Sequence, residues 1–215
     1  MKENSILSII SYQFNYLNKH RKELLISWIL IILFIVLSAI FTYRKVDNDP
    51  HIINDLWSSA SGNMTTIIHG HVFLDTLFTN VLLSIVIICI SLIPIPYLYI
   101  LPTLTSFSLI GKLIGVLNYE HGTIKTIKMV ILSIVPHGIF EITAIIITLI
   151  IAKKINEYVL NVVKTIFKKD YIIPKDNLSV IKKALGDFYK IVLPFLVVAA
   201  GIETFIVPLL FKMFI

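Results

Sequence analysis

Three ionisable side chains lie inside apolar runs of this 215-residue sequence and are the first candidates for chemistry. His137 and Glu141 are four residues apart in Pro-His-Gly-Ile-Phe-Glu, so a helix would place them on one face. Glu203 follows in Gly-Ile-Glu-Thr-Phe-Ile-Val-Pro. An ionisable group near the middle of a bilayer costs about 2.5–3.5 kcal/mol, so such groups usually face a protein interior. We therefore predict an intramembrane polar cluster, which comprises His137, Glu141, Glu203, Asn80 and Thr204.

These residue types leave three roles open for the cluster. Hydrogen bonds could lock the helices together, a relay could carry a proton or cation, or His137 and Glu141 could serve a metal-dependent intramembrane hydrolase. The hydrolase needs at least three ligands and a base, and His-x-x-x-Glu is not the His-Glu-x-x-His signature. The only other candidate, His69 and His71, lacks the partners of a metal site. We expect no catalytic residue, no cofactor and no metal, and hence a protein that is not an enzyme.

Proline and glycine residues near these charges predict how the helices meet. Pro136 frees a backbone carbonyl within its helix, and Gly138 allows another helix to come close. Gly111 and Gly115 have the spacing that lets two helices pack tightly, and Lys112 between them is either a partner of the cluster or extends to the surface. The predicted packing and kink positions are Pro136, Gly138, Gly111, Gly115, Gly201 and Pro208.

The overall composition indicates what kind of protein holds these residues. Hydrophobic residues make up 57% and charged residues 15% of the chain, and the mean hydropathy is +0.88. Soluble domains carry about 45–50% apolar and about 25% charged residues, and a small domain has too little interior to absorb this excess. A soluble enzyme and a disordered chain are thereby excluded. We predict an all-α polytopic transmembrane helical bundle, in which the net charge of +6 reports topology and no nucleic-acid partner is expected.

Runs with one formal charge or none predict about five membrane spans, because a helix needs about 20 mostly apolar residues to cross. Pro94, Pro96 and Pro102 divide one long run into two crossings, and a re-entrant hairpin at this link is the alternative. The predicted spans are residues 24–43, 76–94, 99–118, 129–152 and 191–211.

Basic residues orient these spans in the cell membrane. The segments 1–23 and 153–190 are both basic, so both should face the cytoplasm, with the four-span region 24–152 between them. The loop 44–75 then lies outside. The last segment, 191–215, contains the fifth span and places the carboxyl terminus outside as well. Both basic segments have apolar residues at helical spacing, which predicts amphipathic interfacial helices bound to anionic lipid headgroups. A docking surface for a cytoplasmic partner is the alternative.

The motifs around the buried charges resemble those of the stage II sporulation protein M family of small polytopic membrane proteins. Members typically have a Pro-His-Gly-x-x-Glu segment in one span and an Ile-Glu-x-Phe-x-x-Pro segment in the last. Both occur here, as residues 136–141 and 202–208, and the resemblance covers roughly 70–215. Asn80 and the glycine pair also match, whereas Thr105 and Ser106 stand where the family often has Asn-Gly.

The resemblance implies a role in assembly. The sporulation member is a scaffold for peptidoglycan-degrading proteins, and other members belong to bacteriocin gene clusters. We therefore expect an integral membrane scaffold or accessory subunit in cell-envelope remodelling or bacteriocin-associated assembly. Expected partners are the lipid bilayer and other membrane proteins, such as a transporter subunit, envelope hydrolases or a second copy of this chain. The alternative is a transport, secretion or immunity component for a peptide or ion that uses Glu141 and Glu203.

Overall fold

The computed structural model describes residues 3–49, 53, 72–167 and 177–214, and this part of the chain contains helices and no β-strand. Five of its helical stretches are long and apolar enough to cross a membrane, which confirms the predicted all-α polytopic fold. Most of the loop 44–75, with all three of its histidines, lies outside the described residues. The α-helices are α1 Glu3–Lys19, α2 Arg21–Asn48, α3 Val72–Ser91, α4 Leu101–His121, α5 Thr123–Phe167, α6 Asn177–Asp187, α7 Leu193–Gly201 and α8 Val207–Phe214.

The helices α2 and α4 pack closely because α4 carries two glycines at their contact. A Cβ atom added to Gly111 would lie 2.5 Å from Ser38 Cβ, and one added to Gly115 would lie 2.6 Å from the Ala39 carbonyl oxygen. The Ser38 hydroxyl also donates to the Ser108 carbonyl at 3.2 Å. Residue numbers rise together along this contact, so the two helices run parallel and an intervening antiparallel crossing, α3, must join them.

The proline-containing link between α3 and α4 is held at one end of the bundle by Asn156 of α5. The Asn156 amide nitrogen Nδ2 lies 3.0 Å from the Ser91 carbonyl oxygen, 2.8 Å from that of Ile93 and 3.4 Å from that of Ile95. Asn156 is only 3% exposed. It supplies the donors that the carbonyls at the end of α3 lack once the helix stops. The helix α4 then runs beside α2, an arrangement that accords with a full hairpin between two crossings.

The helix that contains the predicted fourth span, residues 129–152, continues well past residue 152. The helix α5 has 45 residues, or about 68 Å at 1.5 Å per residue, whereas the hydrocarbon core is about 30 Å thick. No glycine or proline occurs from 139 to 167, so nothing in the backbone stops the helix. The amphipathic segment within 153–190 therefore begins as an extension of the spanning helix and not as a separate helix on the membrane surface.

The last span is likewise continuous with the helix that precedes it. Between α6 and α7 the chain forms a π-helical turn, Phe188–Val192, and a second one, Ile202–Ile206, separates α7 from α8. Each π turn comes just before a proline, Pro194 or Pro208, which has no N–H for the ordinary helical hydrogen bond. The prolines thus alter the helix locally without ending it.

Candidate functional site in the membrane-spanning helices

The two glutamates predicted to lie within the membrane belong to helical elements that pack against each other. Glu141 belongs to α5, Glu203 belongs to the second π turn, and the two side chains interact electrostatically. Both are partly buried. Along α5, Glu141 is about 27 Å from Thr123 and about 22 Å from Asn156 at 1.5 Å per residue, so the pair lies near mid-depth.

The hydrogen-bonding capacity around this pair is not met within the described chain. Neither Glu141 nor Glu203 forms an ion pair with a described basic side chain. The His137 Nδ1 atom and the Thr204 hydroxyl are buried without a hydrogen-bond partner among the described residues. Pro208 has no N–H to offer the Thr204 carbonyl four residues before it. Leaving such groups unsatisfied in a low-dielectric interior is costly, so this region is suited to receive an additional group.

Asn80 is buried on α3, which packs against both α5 and the carboxyl-terminal helices. No hydrogen bond joins its side chain to either carboxylate in the described structure, although the Ser84 hydroxyl donates to its backbone carbonyl at 3.0 Å. The nearby threonines are also engaged elsewhere. Thr143 and Thr148 each donate to a carbonyl one turn back in α5, at 2.6 and 2.9 Å. Asn80 therefore lies on a helix that packs beside the acidic pair, but its side chain forms no hydrogen bond with the pair in the described structure.

The remaining predicted packing positions differ from Gly111 and Gly115. A Cβ atom at Gly138 would meet only the Ile134 side chain of its own helix, at 3.7 Å, and one at Gly201 would meet nothing within 4 Å. The close helix approach expected at Gly138 is thus absent within the described chain. Gly138 instead lines an apolar groove together with Trp28 and Ile142. Pro136 lies inside α5 without interrupting it.

Metal binding finds no support in the described residues, where no three His, Cys, Asp or Glu side chains are grouped closely enough to hold an ion. The candidate histidines at 69 and 71 lie outside that part of the chain.

A second polar region, which we call the N-terminal junction, was not predicted from the sequence. It comprises Tyr12, Gln13, Tyr16, His20, Glu23, Lys154, Asp187 and Lys190. The Tyr12 hydroxyl donates to Asp187, which is 2% exposed. The hydrogen bond to Asp187, partial burial and the Asp187 charge together raise the pKa of Tyr12 to about 12. Gln13 donates to the Lys190 carbonyl at 2.8 Å, the carbonyl to which Pro194 cannot donate.

The same junction joins α1 to α5. The Lys154 ammonium donates to His20 Nε2 at 3.2 Å, and His20 Nδ1 then donates to Glu23 at 2.7 Å. Lys154 also lies 5.4 Å from the centre of the Tyr16 ring, a cation–π contact. The described parts of the basic segments 1–23 and 153–190 therefore lie at the same end of the bundle. Tyr12, Tyr16 and His20 recur every four residues, and this spacing was the available sequence signal.

Comparison with known proteins gives a family match that includes the motifs around Glu141 and Glu203 and the glycine pair, and begins after the α1 part of the N-terminal junction. The sequence model described as Stage II sporulation protein M matches residues 27–208, which contain both carboxylates and the glycine pair. No curated protein and no solved structure matches the chain.

Proposed function

Because the chain belongs to the stage II sporulation protein M family, we propose that it is a scaffold or accessory subunit of a membrane protein complex. The observation that carries this proposal is the unpaired acidic pair, Glu141 and Glu203, at mid-depth. Two acidic groups on adjacent helices that lack a basic partner among the described residues contribute little to holding one bundle together. They suit a bundle that is completed by another subunit.

The partner that fits this site is a membrane helix with a basic or hydrogen-bond-donating side chain. Such a side chain would lie between the carboxylates and supply the charge that the chain itself does not provide. Glu203 is partly exposed, so an incoming helix can reach the pair from the side of the second π turn. The unpartnered His137 Nδ1 atom and Thr204 hydroxyl lie within about one helical turn of them and offer further hydrogen bonds.

A second surface supports the same role at the cytoplasmic end. The basic continuation of α5 beyond residue 152 projects from the spanning region, and α1 docks beside it through the N-terminal junction. A soluble or peripheral subunit could bind these elements while a membrane subunit binds the acidic pair. This arrangement accords with the assembly role that the family resemblance implies, in envelope remodelling or a bacteriocin-associated complex.

The test compares complexes recovered from cells in mild detergent. Glu141→Gln and Glu203→Gln, singly and together, should reduce co-purified membrane partners at least fivefold while the chain itself elutes as a folded, monodisperse species. Glu157→Gln is the matched control, because Glu157 is exposed on α5 outside the apolar region, and it should leave recovery unchanged. Full recovery of partners with the double variant would refute a docking role for the pair.

Transport is the second candidate, and the π turn at Glu203 favours it. Irregular helical turns beside buried carboxylates are typical of ion and proton pathways. In liposomes containing the purified chain, a relay predicts a proton or cation flux that the double Gln variant abolishes. Intact complexes combined with lost flux would favour this candidate, whereas reduced complexes with no flux in either protein would favour the scaffold.

A further inference from the structure

A groove between α2, α4 and α5 lies at the end of the bundle opposite the N-terminal junction. It encloses about 300 Å³, a volume in the range of small-ligand sites. Arg44, Asn118, Thr123 and Thr126 line one end of the groove, and aliphatic side chains such as Ile35 and Ile114 line the rest. The groove thus has a polar head and an apolar body.

The polar end contains groups that no described residue satisfies. Thr126 is 3% exposed, and its hydroxyl has no hydrogen-bond partner. The Asn118 side-chain oxygen Oδ1 is also buried and unpartnered. Arg44 is exposed at the rim, and neither Asp47 nor Glu120 lines the groove. Residues that carry a donor, an acceptor and a cation therefore line the polar end of the groove.

The start of α5 adds further donors to the same space. The helix begins at Thr123, directly after Gly122, whose φ of +76° turns the chain out of α4. The first backbone N–H groups of a helix have no partner within it, and the helix dipole places partial positive charge there. A phosphate is the ligand that such an end favours most, and Lys125 and Lys128 add positive charge in a neighbouring hollow that shares Thr123 with the groove.

The dimensions of the apolar body fit one lipid leaflet. From Arg44 to Ile35 the groove follows α2 for nine residues, about 14 Å at 1.5 Å per residue. Half of the hydrocarbon core is about 15 Å thick. An acyl chain lying along the groove would therefore reach the middle of the bilayer when its headgroup is at Arg44.

We propose that this groove binds one anionic glycerophospholipid whose headgroup carries hydroxyl groups, as phosphatidylglycerol does. The phosphate accepts hydrogen bonds from Arg44, Thr126 and the first N–H groups of α5. A headgroup hydroxyl donates to Asn118 Oδ1, and one acyl chain lies against the aliphatic body. Basic pockets between membrane helices are known to recognise anionic lipid headgroups. The bound lipid would contact α2, α4 and α5 together, at a site that neither Glu141 nor Glu203 lines.

The test measures lipid retained by the purified full chain. The protein is stripped of lipid in detergent, mixed with equal amounts of phosphatidylglycerol and phosphatidylcholine of the same acyl chains, and examined by native mass spectrometry. We expect one retained phosphatidylglycerol and at least a tenfold preference over phosphatidylcholine. Arg44→Gln and Thr126→Val should each lower that preference about tenfold, and Ile127→Trp, which fills the apolar body, should lower retention of both lipids.

Matched controls separate this site from ordinary contact with lipid. Lys45→Gln removes a neighbouring cation that does not line the groove, and Thr103→Val removes a buried, unpartnered hydroxyl elsewhere on α4. Both should keep the preference. Equal retention of the two lipids, or an unchanged preference in Arg44→Gln and Thr126→Val that still elute as folded protein, would overturn the proposal. Complete displacement of the lipid by millimolar inorganic phosphate would overturn it too, since that result would identify a site for the free anion.

Discussion

At the end of the bundle that holds α1, Asn156 and Asp187 each form a hydrogen bond with a distant part of the chain, whereas no described basic side chain pairs with Glu141 or Glu203 at mid-depth. Both regions bury polar groups where water is scarce. In the first region, polar groups hold α1 and the α3–α4 link to α5, and they hold α1 to Asp187 and to the Lys190 carbonyl. In the second region, Glu141 and Glu203 lack a described basic partner, and the His137 Nδ1 atom and the Thr204 hydroxyl lack a described hydrogen-bond partner.

This difference separates stability from function. A satisfied buried hydrogen bond contributes modestly to folding, but leaving one of its partners unpaired is costly. Substitutions at the α1 end should therefore lower the free energy of unfolding. An unsatisfied cluster at mid-depth contributes little or nothing to folding, and sites that depart from full satisfaction are commonly the functional ones. Substitutions in the two regions should therefore have opposite consequences for stability and for assembly.

Asn156→Leu should show the largest loss of stability. The carbonyls of Ser91 and Ile93 would lose their donor, and each buried acceptor left without one costs about 1–3 kcal/mol, so we expect a decrease of about 3 kcal/mol. Unfolding in mixed micelles followed by tryptophan fluorescence measures this change. Asn161→Leu on the exposed face of the same helix should change the free energy of unfolding by less than about 0.5 kcal/mol. Equal losses in both variants would break the contrast.

Tyr12→Phe should have a smaller but clear effect. It removes the hydroxyl that donates to the buried Asp187 carboxylate, and hydrogen bonds to charged groups contribute about 1.5–3 kcal/mol. We expect the low end, about 1.5 kcal/mol, because Tyr12 itself is 36% exposed. Tyr189→Phe is the control, since that ring is 69% exposed. A loss in the control as large as that in Tyr12→Phe would show that the junction does not depend on this bond.

The same hydrogen bond predicts a dependence on pH. The pKa of Tyr12 is raised from 10.0 to about 12 in the folded chain, so the folded state holds the phenol proton more tightly than the unfolded state does. Its stabilising contribution is complete below pH 10 and is lost as the pH rises towards 12. The difference in unfolding free energy between the wild type and Tyr12→Phe should shrink across that range. A constant difference from pH 9 to 12 would contradict this assignment.

Glu141→Gln and Glu203→Gln should have the smallest effect on stability. Either change removes a charge that no described basic group balances, so the free energy of unfolding should rise or change by less than about 1 kcal/mol. The same micelle titration applies, with Glu157→Gln as the reference. A loss comparable to that of Asn156→Leu would mean that the pair stabilises the isolated chain, and the contrast between the two regions would fail.

Local patterns predicted much of this architecture. Apolar runs indicate spans because only about 20 apolar residues in a helix cross hydrocarbon, and five such helical runs are present. The spacing of Gly111 and Gly115 corresponds to the tight contact with α2, since a small side chain there is a steric requirement. The continuity of α5 was not predicted. A change from apolar to amphipathic pattern at residue 152 looks the same whether the helix turns onto the surface or extends beyond it.

By itself the sequence determined the class of protein, the number of helices that cross and the residues that are costly to bury, because all three follow from composition and local spacing. Only the tertiary structure decided which polar groups pair. Tyr12 meets Asp187 across 175 residues and Asn156 meets the α3–α4 link across about 60, and no local pattern encodes such contacts. The same packing brings the elements that carry Glu141 and Glu203 together without a described basic partner, since pairing of a buried group depends on which helix comes to lie beside it.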